Sequence, residues 1–428
     1  MRFTSSKKGS RMAELNYEML RDAVSGGAVA LRSIMSLQPA DGEGGKVFPP
    51  TYTVANNAEH KYAIEERQIG DRVATTVLLD SVASQANRAE LALLEGWEAG
   101  ELRFPVPFVD FTVETDVSDI GRLTVLEAPH RLADAIFRDS LLDGTLFRLS
   151  DVGREITDAQ PRNATAMFRY APTALLFGQW DSTGPKGGLG AKFQRAFVSE
   201  VVGLDAKVGT KVGSRIDPLQ IEKLPSDQVA YNHVDPEQVW TLDAEEAVKD
   251  KSGKPERASR GSASGEAGQP SKINHGNIPP SIDSLAGGVT ISSARQTTVI
   301  SLPALRRLKF ADTGREATAA ARTAVAALGV AALAYSYEVD LDLRSRCLLV
   351  PEHAPSLELV RRDGSEPEAI SIDREASAAL VERAAHEASA AGIGWVTDEV
   401  RLVPAPKLVD LLRRSREVSA REGASEDS

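Results

Sequence analysis

Val77-Leu-Leu-Asp-Ser-Val-Ala-Ser-Gln-Ala-Asn-Arg-Ala-Glu-Leu-Ala-Leu-Leu94 changes its period part-way along. The first residues form an apolar run of strand length, and from Val82 onward Val82, Ala86, Ala89 and Leu93 recur at helical spacing on one face. A strand that runs straight into a helix implies mixed elements within one domain. The rest of the chain repeats the mixture. Strands are expected at Phe104 to Val113, Leu123 to Leu126, Val289 to Ser292, Thr298 to Leu302 and Leu341 to Val350, where Arg344 and Arg346 would share one face. Helices are expected at Leu15 to Met35, His130 to Leu142, Ser301 to Phe310 with a serine to cap and a proline in the first turn, Glu316 to Tyr335, and Ala376 to Ala391. The fold class is therefore α+β.

Outward from that stretch, Ala171 to Gly203 reads as a strand, a glycine loop and a basic element. Ala174 to Phe177 has strand length, and Gly184, Gly187, Gly188 and Gly190 allow close approach of the backbone to another group. Lys186, Lys192 and Arg195 are placed to meet an anion there. The glycines match neither a P-loop nor the dinucleotide spacing, so mononucleotide chemistry is disfavoured. A plain turn is the competing reading of such a cluster. On the Val82 helix, Ser81, Ser84, Gln85 and Arg88 fall on or near the side opposite the apolar face, either as a solvated surface or as a polar group with a task.

The chain has 428 residues, of which 42% are hydrophobic and 26% charged, with a net charge of −11. An acidic balance argues against a generally basic nucleic-acid binder, yet the charge is uneven. From Thr183 to Pro225 seven basic residues stand against four acidic ones, and from Arg295 to Arg322 six stand against two. A basic stripe on an acidic body can track a phosphate backbone. No apolar run is long enough to span a bilayer, no signal-type apolar core follows the basic start, and Met12 is a candidate start. The single cysteine, Cys347, fits a reducing cytoplasm and excludes an internal disulfide. The six histidines show no metal-ligand pairing.

Catalytic constellations are hard to assemble. Trp180-Asp-Ser-Thr183 lacks the nucleophile elbow, which leaves Ser182 as a hydrogen-bonding or turn residue. Acid pairs such as Asp110 with Glu114, or Asp340 with Asp342, have no histidine or third acid beside them. Trp180, Tyr52, Phe193 and Phe310 lie near basic residues and could stack bases, although core packing is preferred for Phe193 and Phe310.

Lys46-Val-Phe-Pro-Pro-Thr-Tyr52, Leu78-Leu-Asp-Ser-Val-Ala-Ser-Gln-Ala-Asn-Arg88, Phe177-Gly-Gln-Trp-Asp-Ser182 with Lys192-Phe and Ser199-Glu, Ser214-Arg-Ile-Asp-Pro-Leu219, Ser301-Leu-Pro-Ala-Leu-Arg-Arg-Leu308 and Leu343-Arg-Ser-Arg-Cys347 together resemble one family. It is the backbone RAMP subunit of the type I-U, or I-G, CRISPR effector complex (Cascade). The resemblance runs in order from about Met12 to Pro351. It implies an RRM-like (ferredoxin-like) palm with large insertions, copies of which assemble along a CRISPR RNA and present its spacer to a target DNA strand. Implied partners are CRISPR RNA, target DNA, neighbouring copies of the chain and other effector-complex subunits, with no membrane, cofactor, metal or catalytic residue of its own. The implied location is cytoplasmic.

Holding RNA independently of sequence calls for phosphate neutralisation, backbone hydrogen bonds and stacking. Charge and motif position nominate Lys46, Gln85, Arg88, Lys186, Lys192, Arg195, Arg306 and Arg307 for phosphate or sugar, with Tyr52, Trp180 and Ser182 beside them. The expected organisation is a core of residues 12–241 and 280–351, a flexible insertion at 242–279, a helical extension at 352–412 and a disordered tail at 413–428. Part of 242–279, or Gly184 to Gly190, is the segment expected to displace a base. The alternatives are an RNA-processing endonuclease using His60 or His233 as base, and a metabolic enzyme holding a phosphorylated ligand in the glycine loop.

Overall fold

Period-two burial along Ala28–Pro39, with Leu31, Ser33, Met35 and Leu37 inward, makes this segment the central strand of a ten-stranded sheet. The computed structural model describes residues 13–184, 191–259, 266–311 and 313–426. The sheet consists of β1 (Ala13–Glu14), β2 (Ala28–Pro39), β3 (Ile64–Ile69), β4 (Arg72–Asp80), β5 (Phe197–Leu204), β6 (Ser293–Ser301), β7 (Leu341–Asp342), β8 (Leu348–Pro351), β9 (Leu357–Arg361) and β10 (Glu368–Ser371). The strand order is β1-β10-β9-β2-β6-β5-β4-β3, with β8 pairing both β2 and β7. All pairs are antiparallel except β1 with β10.

The helices used below are α1 (Val82–Glu98), α2 (Pro172–Phe177), α3 (Leu302–Arg306), α4 (Arg315–Glu338) and α5 (Arg374–Ala390). The alanines of α4 let it pack closely against α1, α2 and α5. A Cβ on its Gly329 would come to 3.0 Å from Leu176 and 3.2 Å from Ile300, so this point of α4 lies directly on α2 and the inner face of β6. By length and composition α4 could cross a membrane, but most of that window is buried within the protein. Sequence reading passed it over because Thr323 and polar ends interrupt the apolar run.

Several expectations are corrected. The expected helix Leu15 to Met35 ends early: Tyr17–Asp22 is helical, and Gly26, at φ 153°, lets the chain turn into β2. Leu341 to Val350 is two short strands around a turn in which Arg346 has φ 60°, so Arg344 and Arg346 share no strand face. His130 to Leu142 breaks into a 3-10 turn, one helical turn and the strand Ser140–Leu142. Ala174 to Phe177 belongs to α2; every residue of that helix is buried, and a short, wholly buried helix carries no periodicity to distinguish it from a strand.

The chain divides into two compact units, and the division differs from the expected boundaries. The first comprises residues 13–53, 62–207 and 289–405, so 352–412 is not simply a helical extension: β9 and β10 complete the main sheet. The second contains residues 54–61, 208–288 and 406–426. Its ribbon pairs Lys211–Arg215 with Ile278–Asp283, and Tyr231–Asn232 pairs with Trp240–Thr241. Its described part of 242–279 is ordered by local bonds rather than apolar periodicity. Asp250 Oδ1 accepts from Ser252 N at 2.7 Å and Lys254 N at 3.0 Å, while Val248 N reaches Asn232 O at 2.9 Å. The expected tail is helical in backbone from Pro406–Glu426.

Candidate nucleic-acid interface

Pro172 at the first position starts α2, and the helix delivers the chain to Gly178, whose φ is +82°. A Cβ there would lie 2.9 Å from Arg195 N and 3.1 Å from Phe193 O, so glycine is required on both conformational and steric grounds. Next comes a two-residue antiparallel pair, Gln179 with Phe193 and Trp180 with Lys192. Alternation turns Trp180 and Lys192 outward and Gln179 and Phe193 inward. Asp181 N donates to Ala191 O at 3.0 Å, while Arg148 anchors the start of the loop on Asp181 Oδ1 at 2.6 Å and Thr183 O at 2.9 Å.

This pair and the start of α1 border a groove of about 790 Å³. Leu175, Phe177, Phe193 and Leu308 supply apolar lining; Trp180, Ser182, Lys192, Arg195 and Arg307 contribute aromatic, hydroxyl and cationic groups. Trp180 is 59% exposed, with Lys192 Nζ 5.2 Å from its ring centre. Arg195 Nε donates to Phe177 O at 3.1 Å, and Arg307 Nη1 to Gln194 Oε1. Burial, then the nearby Arg131, hold the Arg195 guanidinium below its ordinary pKa.

Beneath the groove, Arg131 grips Glu90 with two bonds of 2.6 and 2.8 Å and donates to Gly178 O at 2.8 Å. Burial pushes the Glu90 carboxyl up to about 7, against the pull of Arg131. With Arg131 paired to Glu90, the remaining cationic side chains of the described groove lining are Lys192, Arg195 and Arg307.

Five of the eleven residues nominated from sequence therefore meet at one place. Lys186 lies outside the described residues. Gln85 is corrected: at 4% exposure its amide donates to Asp80 at 2.7 Å and accepts from Ser199 and Gln296 at 2.9 and 2.7 Å, a buried network that takes the side chain away from the surface a phosphate would approach. Arg88 is committed to Asp80 at 3.0 Å and to Leu343 O at 2.7 Å within the same network. Arg306 is corrected too, because it donates to the carbonyls of Val24, Ala23 and Ala28, groups at the end of a helical turn. Its role is to close that turn.

Lys46, in the short strand Lys46–Val47, and Tyr52, 41% exposed, do not line the groove. Their segment instead meets Leu343 to Cys347: Phe48 N donates to Arg346 O at 3.0 Å and the Arg346 guanidinium lies 4.0 Å over the Phe48 ring. Phe193 and Phe310 are buried as expected. Sequence reading missed Gln179, His130 and Arg131 in the groove lining. Gln179 lay inside a quoted motif; nothing local marked Arg131, whose partner Glu90 is forty-one positions away.

Residues 31–208 match the family described as CRISPR-associated protein GSU0053. Over that stretch the chain is similar to a CRISPR-associated family. The match agrees with the resemblance read from the motifs, and it takes in the groove from α1 to Arg195, leaving Arg307 beyond it. No curated protein matches the chain. Among the described residues no cluster of three or more histidine, cysteine or acidic side chains could hold a metal. His233, one alternative base, has its Nδ1 engaged by Asp235 N at 2.8 Å and its Nε2 3.7 Å from Glu246.

Proposed function

We propose that the chain is a non-catalytic backbone subunit of a CRISPR effector, holding guide RNA through its phosphates and assembling in copies along it for antiviral defence. The fold we assign is an RRM-like palm carrying large insertions, acting in the cytoplasm beside other effector-complex subunits and presenting the guide to target DNA. The observation that carries this reading is the convergence of Trp180, Ser182, Lys192, Arg195 and Arg307 on one groove within a CRISPR-associated chain. Cations and an exposed aromatic beside apolar walls are the parts that single-strand binding uses. Head-to-tail copies on such a strand form a heterologous, filament-like interface.

The test is RNA binding by the purified chain. Backbone holding predicts affinities that are equal across spacer sequences and fall steeply with salt. A chain that binds no RNA, or binds only certain spacers, overturns the reading.

A further inference from the structure

The strand pair that presents Trp180 and Lys192 is two residues long on each side, too short to hold its own position. Its placement comes from side chains at both ends. Past Trp180, Arg148 holds Asp181 and Thr183. Before Gln179 the anchor is Arg131, whose Nη1 donates to Gly178 O at 2.8 Å, one residue ahead of the strand. Arg131 is in turn gripped by Glu90 of α1 through Nε and Nη2, at 2.6 and 2.8 Å, with side-chain exposures of 8% and 2%.

Two features of this anchor oppose folding. Arg131 stands at φ 53°, in the left-handed region that a residue with a Cβ enters only under strain. A buried ion pair is often no more stable than apolar side chains of the same volume, because both charges give up water. Strain and desolvation concentrated at one residue point to a role other than stability, and the third bond of the same guanidinium, to Gly178 O, lies on the groove.

We infer that Glu90 and Arg131 are positioning residues of the groove: the planar guanidinium ties Gly178, and with it Trp180 and Lys192, to α1, so that ring and ammonium meet RNA already in place. The inference rests on the RNA-holding reading and adds to it the residues that pre-order its contacts. Arg131, its charge taken by Glu90, acts through Gly178 rather than on the phosphates.

The experiment replaces the pair by apolar side chains of similar length, Glu90→Leu with Arg131→Met, and measures melting and RNA affinity across salt. The double variant should recover most of the stability that Arg131→Met alone loses. Its affinity for RNA should nonetheless fall about fivefold or more, the contribution of one stacked base. Coupling to Lys192 separates positioning from general weakening. In the wild type Lys192→Gln should lower the salt slope by roughly 0.7; in the double variant it should change the slope by less than half of that, because Lys192 is no longer held against the RNA. A folded double variant with wild-type affinity, or with the full effect of Lys192→Gln, overturns the inference and leaves the RNA-holding reading intact. If the double variant does not fold, Arg131→Lys decides, since it keeps a charge beside Glu90 and loses the planar fork: weakened RNA binding supports the inference and wild-type binding overturns it. No RNA binding by the wild type overturns both.

Discussion

Replacing Lys192, Arg195 and Arg307 together by glutamine should flatten the salt dependence of RNA binding. Each phosphate neutralised on a single strand contributes a slope of roughly 0.7 in log affinity against log salt, so three cations supply about 2. Over a fourfold rise in salt, that difference amounts to roughly twentyfold in affinity. The structure indicates that the variant will fold. Among the described residues the Arg195 side chain makes one hydrogen bond, from Nε to Phe177 O, which a glutamine amide at the same position can reproduce. Among the described residues Lys192 gives up a contact with the exposed Trp180 ring, worth about 0.5–1 kcal/mol. Arg307 gives up one bond to exposed Gln194.

Fluorescence anisotropy with three unrelated spacer RNAs at several salt concentrations measures the slope, and thermal melting confirms the fold. Loss of slope should be the same for all three sequences. A folded triple variant whose slope changes by less than about half of that amount would refute the assignment of phosphate contacts to this groove.

Two further outcomes follow from the packing. Gly96→Ala should destabilise the chain by about 1–3 kcal/mol in urea denaturation: its Cβ would sit 2.3 Å from the Tyr335 ring, which cannot swing away because its hydroxyl donates to Glu101 at 2.9 Å and Arg374 lies 4.4 Å over it. An unchanged midpoint contradicts that. Arg131→Met should cost about 3–5 kcal/mol by leaving Glu90 buried without its partner. The Glu90 carboxyl already stands at about 7 in the folded chain, above its ordinary value of 4.5, so the native state holds the extra proton and this group's contribution falls as pH rises through that window. Without Arg131 the carboxyl rises further, and the deficit of the variant should be largest near about pH 9 and shrink toward about pH 6. A deficit independent of pH would mean that Glu90 is not the buried acid responsible.

Elements with a clear period were legible in the sequence. Strand β4 passes into α1 as its residues suggest, Ser301 caps α3 by accepting from Ala304 N, and α4 lies where the alanines place it. Elements without a period were not legible: α2 is too short and too thoroughly buried to differ from a strand, and the insertion around Asp250 is held by turn bonds that composition reads as disorder. For the site, sequence reading found charge and missed commitment. Gln85, Arg88 and Arg306 look available on paper, and each is engaged by a group brought near only by folding: Ser199, Leu343 O and Val24 O. Trp180 and Lys192 were recoverable because one short pair of strands carries them, and Arg195 follows two residues after that pair.

Whether copies of this chain assemble on guide RNA is read by native mass measurement with RNA extraction, on protein purified from cells expressing it with a CRISPR array. The expected result is an assembly containing several copies and RNA of one length. A monomer free of RNA would contradict it.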